Sequence, residues 1–178
     1  YTFGIVCVLA LLIYTGWLWK VMRPVIHKDI INKYAGEYKF DPLLIMALVK
    51  VESNFASKAR SHRGAVGLMQ LLPSTAEEMA VELGMENFTR DDLEKPEINI
   101  RLGYHYLAKL RNLCGEDTVQ MLAAYNAGYQ KTLLWKKDDD RLSIDAIEFP
   151  ETKAFVNKVL TLYKQLREIQ RVKNKIEL

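Results

Sequence analysis

Residues 41–76 read DPLLIMALVKVESNFASKARSHRGAVGLMQLLPSTA, and this stretch decides the class of fold. Asp41 is a good helix N-cap and Pro42 a good first helical residue. The apolar run that follows has hardly any polar face, which is typical of a buried helix. Gly64 and Gly67 then interrupt the helical pattern and indicate a loop. The stretch therefore predicts a buried helix followed by a glycine-rich loop.

Further helices are predicted on both sides of this stretch. No segment alternates between apolar and polar residues over four or more positions, so the chain has at most a small hairpin. We predict a mainly α domain, with helices over 26–38, over 74–84 behind a capping box at 74–77, over 96–114, over 118–127 and from 150 onward.

The bulk composition is that of a globular protein with a mild basic bias. The 178 residues are 49% apolar and 26% charged, and the net charge is +3. Because the cations do not alternate with aromatic residues, we expect no nucleic-acid binding. The basic bias instead suits an anionic surface such as cell wall or lipid headgroups. Two cysteines and three scattered histidines lack the spacing of metal ligands, so we expect no metal and no cofactor.

Residues 1–19, YTFGIVCVLALLIYTGWLW, carry no charge. About 20 apolar residues cross a bilayer as a helix, and Trp17 and Trp19 end the run with side chains that prefer the membrane interface. A cleaved signal peptide is the alternative, but the run lacks a convincing small-residue cleavage site. We predict a transmembrane anchor over 1–22 and a globular domain over 23–178.

The charges that follow the apolar run leave its orientation open. Lys20, Arg23 and Lys28 come directly after it. The positive-inside rule would place these cations in the cytoplasm, but residues upstream of Tyr1 enter the same comparison. Orientation must therefore be argued from function.

Glu52 is the residue best suited to acid chemistry. Leu48, Val49 and Phe55 share its helix face. Burial on such a face disfavours the carboxylate and raises its pKa, as a general acid at neutral pH requires. The alternative is a structural carboxylate paired with a Lys or Arg at the helix end.

Three more stretches carry polar groups suited to a sugar groove, namely 61–70, 125–128 and 148–152. Each has a structural explanation as well. The first can be a tight turn with a core methionine, and the second a helix end capped by glycine. The third places a carboxylate in the first turn of a helix, where the helix dipole favours it in any case.

Together these stretches resemble the signature motifs of the soluble lytic transglycosylase family. ESNF at 52–55 and GAVGLMQLLPSTA at 64–76 resemble the first two signatures, AAYNAG at 123–128 resembles the third, and ETK at 151–153 resembles the last. Residues 99–107 resemble a helix between them. The resemblance spans about 26–163 and implies the goose-type lysozyme fold, a lysozyme-like helical domain.

The resemblance also implies roles for individual residues. Glu52 is expected to be the catalytic acid, and the expected substrate-binding residues are Ser61, Met69, Gln70, Tyr125, Asn126 and Glu151. The chain departs from the family pattern at Leu72, where Met is frequent, and at Tyr129, where Pro is frequent. These departures concern substrate preference and not the type of reaction.

The implied reaction is cleavage of peptidoglycan glycan strands between N-acetylmuramic acid and N-acetylglucosamine, with formation of 1,6-anhydro ends. One prominent carboxylate agrees with it, since ordinary glycosidases need two. Because the implied substrate is cell wall, the domain is expected at the cell membrane, facing the extracytoplasmic side. The alternatives are a hydrolytic lysozyme of the same fold, a non-catalytic wall-binding module, and a part of a larger machine whose protein partners the sequence does not identify.

Overall fold

The computed structural model describes residues 27–136 and 140–176. Within these ranges the domain is built from seven α-helices and two short 3-10 helices. The α-helices are α1 (Lys28–Tyr38), α2 (Pro42–Ser53), α3 (Pro73–Glu82), α4 (Pro96–Cys114), α5 (Thr118–Ala127), α6 (Tyr129–Lys136) and α7 (Pro150–Ile176), and the 3-10 helices are Arg90–Glu94 and Ile144–Ala146. The mainly α class is confirmed. The loop between α2 and α3 contains two isolated β-bridges, and no strand occurs in the described ranges.

The central helix, α2, begins where the sequence predicts. The Asp41 carboxylate accepts a hydrogen bond from the Leu43 amide at 2.9 Å, and Pro42 starts the first turn. Leu48 and Val49 are fully buried, and α2 packs against α1 and α7. This burial explains why α2 has hardly any polar face.

An aromatic cluster joins α4 to α1. The buried Tyr104 hydroxyl donates to the Ile31 carbonyl oxygen at 2.8 Å, and the Tyr104 ring stacks on Tyr38 with a centroid distance of 5.9 Å. Burial of the hydroxyl is therefore compensated by a hydrogen bond.

Asp117 connects α5 to the segment that leads into α7. One carboxylate oxygen caps α5 by accepting from the Gln120 amide at 3.0 Å, and the other accepts from the Leu142 amide at 2.5 Å. The cap was predicted from sequence. The second contact spans 25 residues and fixes the approach to α7.

The start of α3 differs from the sequence prediction. α3 begins at Pro73 with Leu72 at the N-cap and no side-chain cap, so the capping box at 74–77 is wrong. Pro73 starts the helix itself, because its φ is preset and it has no amide hydrogen to satisfy.

The predicted anchor over 1–22 lies outside the described residues. In the part of the chain that is described, no helix is long and apolar enough to cross a bilayer.

Candidate active site

Glu52 lies in the last turn of α2, where the helix is fastened to the glycine-rich loop. The Ser53 hydroxyl donates to the Leu68 carbonyl oxygen at 2.7 Å. Asn54 and Phe55 both have positive φ, 50° and 58°, so the chain turns away sharply after the helix. These constraints hold the Glu52 carboxyl group beside the loop.

The surroundings of Glu52 favour its protonated form. Burial raises the pKa of this carboxyl group from 4.5 to about 8. Burial is the cause of the shift, and no cation among the described residues contributes to it. The structural ion pair considered as the alternative is therefore absent from the described part of the chain. A carboxyl group of this kind is mostly protonated at neutral pH and can act as a general acid.

The buried amide of Asn99 shapes the loop between α2 and α3. Its Oδ1 accepts from the Met69 amide at 2.8 Å, and its Nδ2 donates to the carbonyl oxygens of Val66 and Leu93, both at 3.0 Å. Gly67, with φ 86°, leaves room for this amide, since a Cβ there would lie 2.1 Å from Asn99 Nδ2. Sequence analysis placed Asn99 only in a helix between motifs. Its bonding role was missed because its partners are backbone groups, some about 30 positions away.

Met69 lies in the core, in contrast to the expectation that it contacts substrate. Its side chain is fully buried and packs so closely against Gly103 that a Cβ added there would lie 2.2 Å from Met69 Sδ. Its carbonyl oxygen accepts from the Tyr125 hydroxyl at 2.5 Å. Met69 therefore supports the groove from behind.

Gln70 lies at the end of the loop and has φ 47°. Its side-chain Nε2 donates to the Ala59 and Gly67 carbonyl oxygens at 3.1 and 2.9 Å. Both bonds cross the loop, so the side chain that reaches the groove is held in one position.

Tyr125 and Asn126 come from the end of α5. Burial, with Glu52 and Tyr106 nearby, raises the pKa of Tyr125 well above its ordinary value, so the phenol stays protonated. The Tyr125 and Tyr106 rings pack with centroids 5.4 Å apart. Asn126 Oδ1 accepts from the buried Thr152 hydroxyl at 2.8 Å, which ties the end of α5 to α7.

The rim of the site is charged. Arg63, in the loop, donates to Glu151, in the first turn of α7, at 2.7 Å, and both side chains are largely exposed. Ser61 Oγ accepts from the Ala65 amide at 3.0 Å and closes the turn between them. The ion pair between Arg63 and Glu151 links the loop to α7.

The end of α2, the glycine-rich loop, the end of α5 and the start of α7 enclose one groove of about 540 Å³. The structure brings six of the seven residues expected in the site to this groove, namely Glu52, Ser61, Gln70, Tyr125, Asn126 and Glu151. It adds residues that the sequence did not single out, among them His62, Arg63, Thr75 and Tyr106. Over 27–136 and 140–176, no group of three or more His, Cys, Asp or Glu side chains is placed to hold a metal ion.

Comparison with known proteins places this fold and groove in a family. The Transglycosylase SLT domain family profile matches residues 29–147, and the chain belongs to this family. It is 29% identical over 154 residues to the soluble lytic murein transglycosylase of Escherichia coli K12, covering 82% of this chain and 24% of the relative. It is 42% identical over 108 residues to membrane-bound lytic murein transglycosylase F of Desulfosudis oleivorans, covering 57% of this chain and 22% of the relative. The resemblance inferred from the signature motifs is therefore confirmed.

Solved structures of this family have the same fold. One is an inactive glutamate-to-glutamine mutant of lytic transglycosylase Slt from Pseudomonas aeruginosa, with TM-score 0.73 and 35% identity over 80% of this chain and 24% of that chain. Another is a 70-kDa soluble lytic transglycosylase in complex with bulgecin A, with TM-score 0.77 and 28% identity over 87% of this chain and 26% of that chain. The chain spans about a quarter of the length of these relatives.

Proposed function

We propose that this domain is a peptidoglycan lytic transglycosylase in which Glu52 is the single acid and base. The observation that carries the proposal is a buried carboxyl group, with its pKa raised to about 8, that faces a groove lined by several polar side chains. Such a group is ready to donate a proton at neutral pH. Membership of the family supports the assignment, and one relative of known structure is an inactive glutamate-to-glutamine mutant.

In the proposed reaction, Glu52 protonates the glycosidic oxygen between N-acetylmuramic acid and N-acetylglucosamine. The bond from that oxygen to C1 of the muramic acid breaks. The Glu52 carboxylate then takes the proton of the C6 hydroxyl of the same sugar, whose oxygen bonds to C1. Because this attack is intramolecular, proximity favours it over attack by water. The product is a 1,6-anhydro end.

The carboxyl groups of the groove favour this reaction over hydrolysis. Ordinary glycosidases use a second carboxylate to activate water or to attack the sugar. Among the described residues that line the groove, the other carboxyl group is that of Glu151. It is largely exposed and is paired with Arg63 at 2.7 Å. A hydrolytic lysozyme of the same fold would need this carboxylate to hold a water opposite Glu52.

The sugar contacts are assigned to Ser61, Gln70, Tyr125, Asn126 and Glu151. The Tyr125 hydroxyl hydrogen is engaged by a backbone carbonyl, so its oxygen is the group that can accept from a sugar hydroxyl. The Gln70 amide nitrogen is engaged in the same way, which leaves its amide oxygen to accept.

Mass spectrometry of the fragments released from purified peptidoglycan tests the reaction. A transglycosylase leaves muramic ends that are lighter by one water and have no reducing group. Predominantly reducing ends would establish a lysozyme, and retained binding to peptidoglycan without any release would indicate a wall-binding module. Glu52→Gln is the matched inactive control and is expected to bind peptidoglycan without releasing fragments.

We also propose that residues 1–22 anchor the catalytic domain, 23–178, to the cell membrane, with the groove on the extracytoplasmic side where peptidoglycan lies. The uncharged run over 1–19 supports an anchor, and one relative carries the name membrane-bound. The full chain should stay with membranes through a high-salt wash, whereas residues 23–178 should be released. Release of the full chain by salt alone would contradict a spanning helix.

A further inference from the structure

The second half of α7 presents an apolar face that the core does not cover. The buried residues of α7 end at Val159. Beyond it, Ile169, Val172 and Ile176 are 65%, 56% and 79% exposed. At 3.6 residues per turn, these three side chains fall within a sector of about 60°. Three large apolar side chains on one exposed face form a patch, which marks an interaction surface more strongly than single exposed residues do.

The same half of α7 is strongly basic. Residues 160–176 contain one acidic side chain, Glu168, and five cations, Lys164, Arg167, Arg171, Lys173 and Lys175. By the same helical spacing, Lys173 and Lys175 flank the apolar face on its two sides. The other three cations line one hollow, and by the same spacing they lie about 110–170° from the centre of the apolar face, on the polar side of the helix. The half-helix thus combines an apolar face with a dense positive charge.

We propose that the second half of α7 lies on an anionic lipid surface. Ile169, Val172 and Ile176 would enter the boundary between headgroups and acyl chains. The flanking Lys173 and Lys175 would contact lipid phosphates, and the cations of the polar side would add to the attraction for the anionic surface. Apolar side chains flanked by Lys and Arg are the combination by which amphipathic helices bind membrane surfaces. The long Lys and Arg side chains keep their charges among the headgroups while their stems cover apolar surface.

Charge decides between lipid and the other possible occupants. A second copy of the chain would cover the apolar face, but it would set two basic helices side by side, and like charges across an interface oppose association. A glycan strand would leave the exposed apolar face without a counterpart. An anionic lipid surface satisfies both features. The contact is separate from the groove, because Glu151 lies at the other end of α7, about 25 Å or more along the helix axis.

Limited trypsin digestion of the full chain tests this proposal. Cleavage after Arg167 and Arg171 is measured by mass spectrometry on vesicles of phosphatidylcholine alone and on vesicles that also contain phosphatidylglycerol. Cleavage after the exposed Arg141 in the same sample corrects for molecules that trypsin does not reach. The two helix sites should be cut about fivefold more slowly on the anionic vesicles, and high salt should weaken this protection.

Variants test whether the protection from trypsin depends on the apolar face of α7. The triple change Ile169→Ser, Val172→Ser and Ile176→Ser should abolish the protection. The matched control, Val81→Ser with Leu134→Ser, removes two side chains that are 79% and 72% exposed elsewhere, and should retain it. Circular dichroism confirms that both proteins are folded.

Three results would overturn the proposal. The first is equal cleavage on the neutral and anionic vesicles. The second is protection in detergent that grows with protein concentration, which would indicate self-association. The third is equal protection by lipid-free peptidoglycan, which would assign the helix to the wall.

Discussion

Replacing Glu52 by Gln should make the domain inactive and, above pH 5, more stable. The side chain keeps its shape but loses its charge, so the change isolates the free energy of burying a carboxylate. The structure raises the pKa of Glu52 from 4.5 to about 8 by burial. The folded protein therefore binds this proton more tightly than the unfolded chain does.

The size of the effect follows from linkage. Below pH 4.5 the carboxyl group is neutral in both states, so its burial has no charge penalty in folding free energy. The penalty grows as the pH rises from 4.5 to about 8, and it is complete above that. One pKa unit corresponds to about 1.4 kcal/mol, so the full penalty is about 4–5 kcal/mol, of which about 3 kcal/mol is present at pH 7. Glu52→Gln removes it, so the free energy of unfolding of the variant should exceed that of the parent by about these amounts.

Urea unfolding of residues 23–178 at pH 5, 7 and 9 measures the difference. Glu82→Gln is an opposite-sign control, because hydrogen bonds from Lys109 and His105 lower the pKa of Glu82. That variant should be less stable than the parent at neutral pH, with the difference fading as the pH falls through the lowered pKa. A Glu52→Gln difference that stays constant from pH 5 to pH 9 would refute the burial of an ionisable acid at this position. If the variant instead released fragments at the parent rate, Glu52 would not be the acid.

Three further substitutions test the scaffold and the rim of the groove. Gly67→Ala should lower the free energy of unfolding, measured in urea, by about 3 kcal/mol or more, because the new Cβ would clash with the Asn99 amide at a position of strained positive φ. Gly84→Ala is its control and should cost about 1 kcal/mol, because Gly84 also has positive φ, 65°, but faces open space. Asn99→Ala leaves the Met69 amide and the Leu93 carbonyl oxygen without their partners and removes one of two hydrogen bonds to the Val66 carbonyl oxygen. It should cost about 3–5 kcal/mol, and a loss below about 1 kcal/mol would contradict its role in holding the loop. Arg63→Ala removes an exposed ion pair with Glu151 and should change stability by less than about 1 kcal/mol, a change that salt should reduce further.

If Glu52 acts as proposed, stability and function oppose each other at this position. A buried carboxyl group whose pKa is raised costs folding free energy at neutral pH. An apolar residue at this position would avoid that cost, but it would have no proton to give. The proposed use of its proton in catalysis gives a reason for a carboxyl group on this buried helix.

Local patterns in the sequence were enough to predict most helices and the burial of Glu52. The Asp41 and Asp117 caps, the proline starts of α2, α4 and α7, and the apolar surroundings of Glu52 all depend on residues within a few positions of one another. The capping box before α3 failed for a local reason as well, because Pro73 starts that helix one residue before Ser74. The signature motifs carried the family assignment, since several of them occur in order along the chain.

Contacts between distant residues decided how the motifs form a groove. Motif position alone did not show whether Met69 faces substrate or core, because a loop side chain can point either way. The direction is decided by Gly103, against which the Met69 side chain packs, and by Asn99, which binds the Met69 amide. The pairing of Arg63 with Glu151 spans 88 positions and has no counterpart in any local pattern. The hydrogen bonds of the Asn99 amide, the close approach of Gly67 to Asn99 and that of Gly103 to Met69 are set by tertiary packing. These contacts determine which of the expected side chains reach the groove.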